Sequence, residues 1–161
     1  MNVIAVLQYS DFMFKLPVSE LEGLDWHPRN YGKRCDVRYG YDKATHPKTG
    51  IPGSVVDYVR LPSGLVIPDH YHKVGEEVFV VLYGSAVFQT RKSRRERREE
   101  TVVEPRDVLK IKPGLLHRVE NRGTKPFYLI RFTNKIEGDF FDTEFEEDME
   151  DPHWFAEGSI G

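Results

Sequence analysis

The chain has one cysteine in 161 residues, Cys35, so no internal disulfide can form and a reducing compartment, the cytoplasm, is expected. It also lacks long hydrophobic runs. The longest early run, residues 3–7, is too short for the core of a signal peptide and has no basic leader. No stretch approaches the roughly 20 apolar residues of a membrane span, so no membrane partner is expected. Neither charge dominates: 23 Lys and Arg against 26 Asp and Glu give −3, which offers no general pull towards nucleic acid. What remains is 39% hydrophobic and 30% charged, an ordinary globular balance at a length that fits one domain with a full core.

A long helical period is missing too, and strand signals take its place. Residues 54–61 are β-branched and aromatic, and Pro62-Ser63-Gly64 ends them with turn formers. Residues 77–82 are almost continuously apolar, as a strand buried on both faces would be. Further strands are expected at 85–90, 100–104, 108–112, 117–120 and 127–133, punctuated by Gly84, Pro105, Pro113-Gly114 and Asn121-Arg122-Gly123. Many short strands with Gly/Pro turns indicate an all-β sandwich or barrel. Three stretches follow: an irregular N-terminal arm at 1–53, a β core at 54–135 and an acidic tail at 136–161. Within the arm, residues 3–9 read as a strand and 18–24 as a helical turn. The tyrosines at 31, 39 and 41 suit plain packing, over a barrel mouth or a dimer seam.

Two charge clusters break this pattern. Six of the ten residues at 91–100 are basic and three acidic, which reads as a solvated hairpin tip with mixed-sign pairs rather than a nucleic-acid contact. Eight of the thirteen residues at 139–151 are acidic, with Phe140, Phe141 and Phe145 interspersed.

His70 and His72 carry the chemistry. Residues two apart in a strand share a face, so both imidazoles can reach one point in space. Glu77 adds a carboxylate, and His117 from a distant strand adds a third nitrogen. That donor set suits iron, zinc, copper or nickel, and the carboxylate extends the choice to manganese. One divalent ion is expected as cofactor. Three neutral imidazoles and one carboxylate leave a residual charge of about +1 on it, and two unfilled positions if it is octahedral. His27, His46 and His153 have no such context.

The frame around these residues resembles the cupin superfamily. Gly64-x5-His70-x-His72-x4-Glu77-x6-Gly84 meets every fixed position of that family's first motif. The second motif is matched by Gly114, His117 and Asn121, with two departures: Pro113 stands directly before the glycine, and Arg106 replaces a leading glycine. The resemblance covers roughly residues 55–133 and implies a single-domain jelly-roll β-barrel. It also implies that His70, His72, Glu77 and His117 are the metal ligands, since only Glu77, not Glu76, lies seven positions before Gly84.

Strand parity then nominates neighbours of the site. Phe79, Val81 and Tyr83 should share the face of Glu77, and Val119 and Asn121 that of His117. Tyr58 or Val59, together with Phe88 and Arg131, are further wall candidates. An inward Arg131 would bind a carboxylate or phosphate, but parity leaves its direction open. The function expected is a metal-dependent small-molecule enzyme, a dioxygenase or a sugar isomerase or epimerase. The alternative is a metal- and ligand-binding or sensing module without turnover. A homodimer is expected, because an exposed sheet edge and an aromatic arm favour pairing.

Overall fold

The computed structural model describes residues 18–30, 40–44, 53–93, 95–134 and 143–145. Its strands are β1 (His27–Asn30), β2 (Gly40–Ala44), β3 (Ser54–Leu61), β4 (Val66–His72), β5 (Glu77–Tyr83) and β6 (Ala86–Arg91). They continue with β7 (Glu99–Val103), β8 (Val108–Ile111), β9 (Leu116–Glu120), β10 (Phe127–Asn134) and β11 (Thr143–Phe145). A short 3-10 helix at Val18–Gly23 precedes them. One sheet runs β1-β2-β3-β10-β5-β8 and the other β11-β4-β9-β6-β7. From β3 to β6 the chain alternates between the sheets, and β8, β9 and β10 do so again, as in a jelly roll.

The core lies between the sheets and is built with the period of two expected of strands. Val59, Leu61, Phe79, Val81, Phe127 and Leu129 enter it from the six-stranded sheet. Ala86, Phe88, Val103 and Val119 meet them from the other. The outer face of the six-stranded sheet carries a second apolar cluster, where Leu21 of the 3-10 helix packs on Ala44, Tyr58 and Tyr128.

Within the stretch read as an irregular arm, β1 and β2 extend the six-stranded sheet through β3. The β2 residues Gly-Tyr-Asp-Lys-Ala have no apolar alternation, because the strand is recruited by a neighbouring edge and not by its own pattern. In the tail, β11 pairs with β4 opposite His70, Tyr71 and His72. The expected strand at 3–9, Cys35, Tyr31, Tyr39 and most of the acidic tail lie outside the described residues.

Candidate metal centre

A fault in the β4–β9 ladder sets up the site. Ile67 pairs with Val119 and His70 with His117, so β4 advances three residues while β9 advances two. This is a β-bulge at Pro68-Asp69, and proline suits it because it has no N–H to lose from the ladder. The extra residue turns His70 to the inner face that Ile67 already occupies. It turns Asp69 outward, where Arg98 Nη2 donates to its Oδ2 at 2.6 Å and ties down the basic hairpin.

His70, His72, Glu77 and His117 converge between the two sheets, all buried, with one donor atom of each lying within 4.8 Å of the others. Glu77 opens β5 of the six-stranded sheet, while the three histidines sit on β4 and β9 of the facing sheet. The Pro113-Gly114 turn leads into β9, and Gly114 N–H donates to the His72 carbonyl at 2.8 Å, joining the second motif to the first.

The hydrogen bonds fix which nitrogen faces inward. His70 Nδ1 lies 2.8 Å from the Pro68 carbonyl and His117 Nδ1 2.9 Å from the Leu115 carbonyl. A carbonyl only accepts, so each Nδ1 carries the hydrogen and each Nε2 keeps its lone pair. His117 Nε2 then stands 3.2 Å from Glu77 Oε2, both atoms fully buried and neither in an aligned hydrogen bond. Two lone-pair acceptors in contact repel each other unless a proton or a metal cation lies between them. Glu77 Oε2 is also 3.1 Å from His72 Nε2. The donor set therefore fits a divalent ion on chemistry and on position.

Electrostatics keep His70 and Glu77 in metal-binding form. Burial pushes the His70 imidazolium pKa well down, and the neighbouring His117 and His72 add to that. Burial pushes the Glu77 carboxyl the other way, but His117, His72 and Arg131 outweigh it and hold the group well below its ordinary range.

A model of the cupin domain family matches residues 57–132. Residues 57–132 form a cupin domain. No curated protein matches this cupin in sequence. Among solved structures it resembles the capsular polysaccharide assembling protein CapF from Staphylococcus aureus, with 21% identity and a TM-score of 0.59. That match covers 83% of this chain and 35% of CapF. Peruvianin-I, a cysteine peptidase from Thevetia peruviana latex, aligns at 17% identity over 58% of this chain and 56% of its own, with a TM-score of 0.50. An oxalate oxidase in complex with glycolate aligns at 23% identity over 58% of this chain and 46% of its own, also at 0.50. The cupin described here thus spans about half or less of these proteins.

Arg131 of this cupin turns inward, its side chain 20% exposed. Nη1 donates to Glu77 Oε1 at 3.3 Å, and Nε and Nη2 both donate to Asp57 Oδ2. Asp57, fully buried on β3 and not nominated by the sequence, also faces Lys43 Nζ at 3.6 Å. The signal for Asp57 was a charged residue set between Val56 and Tyr58 in the apolar stretch of its strand.

The other nominated residues take several places. Phe79 and Phe88 stack at 5.4 Å between ring centroids, inside the core. Tyr58 lies on the outer face of its sheet, against Leu21 and Tyr128. Asn121 is wholly buried as a loop clamp: Nδ2 donates to the Leu61 and Lys125 carbonyls, and Oδ1 accepts from Gly123 N–H. Tyr83, at the far end of β5 from Glu77, is 40% exposed. It borders an open hollow of about 420 Å³ with Ser85, Pro105 and Lys125, at the opposite end of the fold from the ligands. No helix among the described residues is long and apolar enough to cross a membrane.

Proposed function

We propose that this cupin is a metal-dependent enzyme acting on a small molecule, with one divalent ion held by His70, His72, Glu77 and His117. The observation that carries the reading is the buried contact between two acceptors, His117 Nε2 and Glu77 Oε2, which a metal cation would stabilise. An ion bound there would polarise a substrate oxygen as a Lewis acid or, if redox-active, exchange electrons. The chain's own residues do the positioning. Pro68 and Leu115 fix two imidazole tautomers, and Arg131 holds one oxygen of Glu77 so that the other faces the histidines.

The finer reading is a dioxygenase or a sugar isomerase or epimerase, in the cytoplasm and as a homodimer. Val102 and Val108, 65% and 66% exposed on the edge strands β7 and β8, support pairing. Elemental analysis of the purified protein, beside a His70→Ala/His117→Ala variant, tests the metal. About one equivalent lost in the variant is expected; no metal even after reconstitution overturns the reading. Oxygen uptake by an iron form favours the dioxygenase, and sugar turnover by a zinc form favours the isomerase. Tight ligand binding without turnover in any form moves the protein to the binding or sensing class. A light-scattering mass of one chain at all concentrations rejects the dimer.

A further inference from the structure

The three-histidine, one-carboxylate set seen alone takes one negative charge to the ion and leaves it about +1. The surrounding groups change that count. Glu77 shares its Oε1 with Arg131, and Arg131 shares Asp57 with Lys43. All four side chains are largely buried: 1% exposed for Glu77, 0% for Asp57, 20% for Arg131 and 15% for Lys43. Among the described residues of this network, two cations stand against two carboxylates and the sum is zero. The imidazoles are neutral when they ligate. We infer that Arg131 and Lys43 cancel the two buried carboxylates, so that an ion in the cage keeps its full double charge and selects an anionic oxygen ligand, such as a carboxylate or enolate, over a neutral one.

The physical reason is the cost of an uncompensated charge away from water. A buried ion without a counter-charge is strongly disfavoured unless something negative joins it. Among the described residues, the two carboxylates of this network are already committed to Arg131 and Lys43, so the compensating charge comes from the ligand. Arg131 also fixes the substrate class without touching substrate, by withdrawing the charge that Glu77 would otherwise lend to the ion.

This inference rests on the metal reading above, and the test separates the two. The protein is loaded with cobalt(II), and its visible absorption is titrated with acetate and with acetamide, a neutral molecule of nearly the same shape. Acetate is expected to bind at least about tenfold more tightly than acetamide. Lys43→Met, which makes the network negative by one, weakens acetate binding about tenfold and leaves acetamide unmoved. Asp57→Asn, which makes it positive by one, tightens acetate; if that variant fails to fold, Lys43→Met alone decides. Cobalt bands with equal affinities for acetate and acetamide, or an acetate affinity that ignores Lys43→Met, overturn the inference and leave the metal site standing. Absence of cobalt bands in the unmutated protein overturns both.

Discussion

Arg131 Nη1 stands 3.3 Å from Glu77 Oε1, across two neighbouring strands of the same sheet. Glu77 thus divides its two oxygens between a guanidinium and a pair of imidazoles. Removing the guanidinium leaves two buried carboxylates, Glu77 and Asp57, with Lys43 as the one remaining cation of the network among the described residues. Arg131→Met is expected to cost the metal-free protein about 3 kcal/mol in urea unfolding. Arg131→Lys should recover only part, since a point charge cannot fork to both partners. A loss below about 1 kcal/mol would show that the pair contributes little.

Acid should unfold the metal-free protein earlier than a typical single domain. The His70 pKa is depressed in the folded state, so on acidification the unfolded chain takes up that proton first. Stability is full above the unfolded value of about 6.5 and falls as pH drops below it. Glu77, also depressed, has the same sign and adds a second loss below about 4.5. Urea midpoints between pH 8 and 4 measure this, and His70→Gln should flatten the upper part of the curve. A midpoint unchanged from pH 7 to 5 contradicts the prediction.

Two glycines of the first motif differ in what they tolerate. At Gly84 φ is +73° and a Cβ would sit 2.5 Å from the Pro126 carbonyl oxygen, a backbone atom that cannot step aside. At Gly64 φ is +78° but nothing lies within 4 Å. Gly64→Ala should cost about 1 kcal/mol of backbone strain, and Gly84→Ala clearly more, about 3 kcal/mol. Thermal unfolding of the two variants side by side checks the order, and equal losses would refute it.

Arg106 invites the opposite change. It is the one non-glycine residue with positive φ among the described residues, at 85°. Pro105 precedes it, and Asp107 N–H bonds the Glu104 carbonyl at 3.0 Å, which together make a type II turn with arginine at the glycine position. Arg106→Gly keeps the Arg106 N–H bond to the Val81 carbonyl and relieves the strain. A gain of about 0.5–1 kcal/mol in urea unfolding is expected. A loss would mean the side chain supports the turn.

The motif residues were legible because their spacing encodes geometry: two histidines of equal parity, a glutamate opening the next strand, and a histidine after a Pro-Gly turn. The bulge at Pro68-Asp69 was not legible, because a bulge is a mismatch between two strands and neither strand shows it alone. The outward placement of Tyr58 escaped for a related reason, since β3 carries a charge on each face, Asp57 on one and Arg60 on the other, and parity has no single polar side to count from. Asp57 and Lys43 were missed because a charged residue in a strand usually marks the solvent face; only pairing with Arg131 across β3 and β10 makes an inward carboxylate tenable. The strand order required contacts far apart in sequence, which no local pattern carries.

The ligands also divide between the two layers, Glu77 in one sheet and the histidines in the other. An ion held by all four is therefore a removable staple between the layers, closing a loop of forty residues from Glu77 to His117. In a chain whose single cysteine can bridge to nothing within itself, coordination would do the work that a disulfide does in a secreted domain, and a chelator rather than a reductant would be the reagent that undoes it.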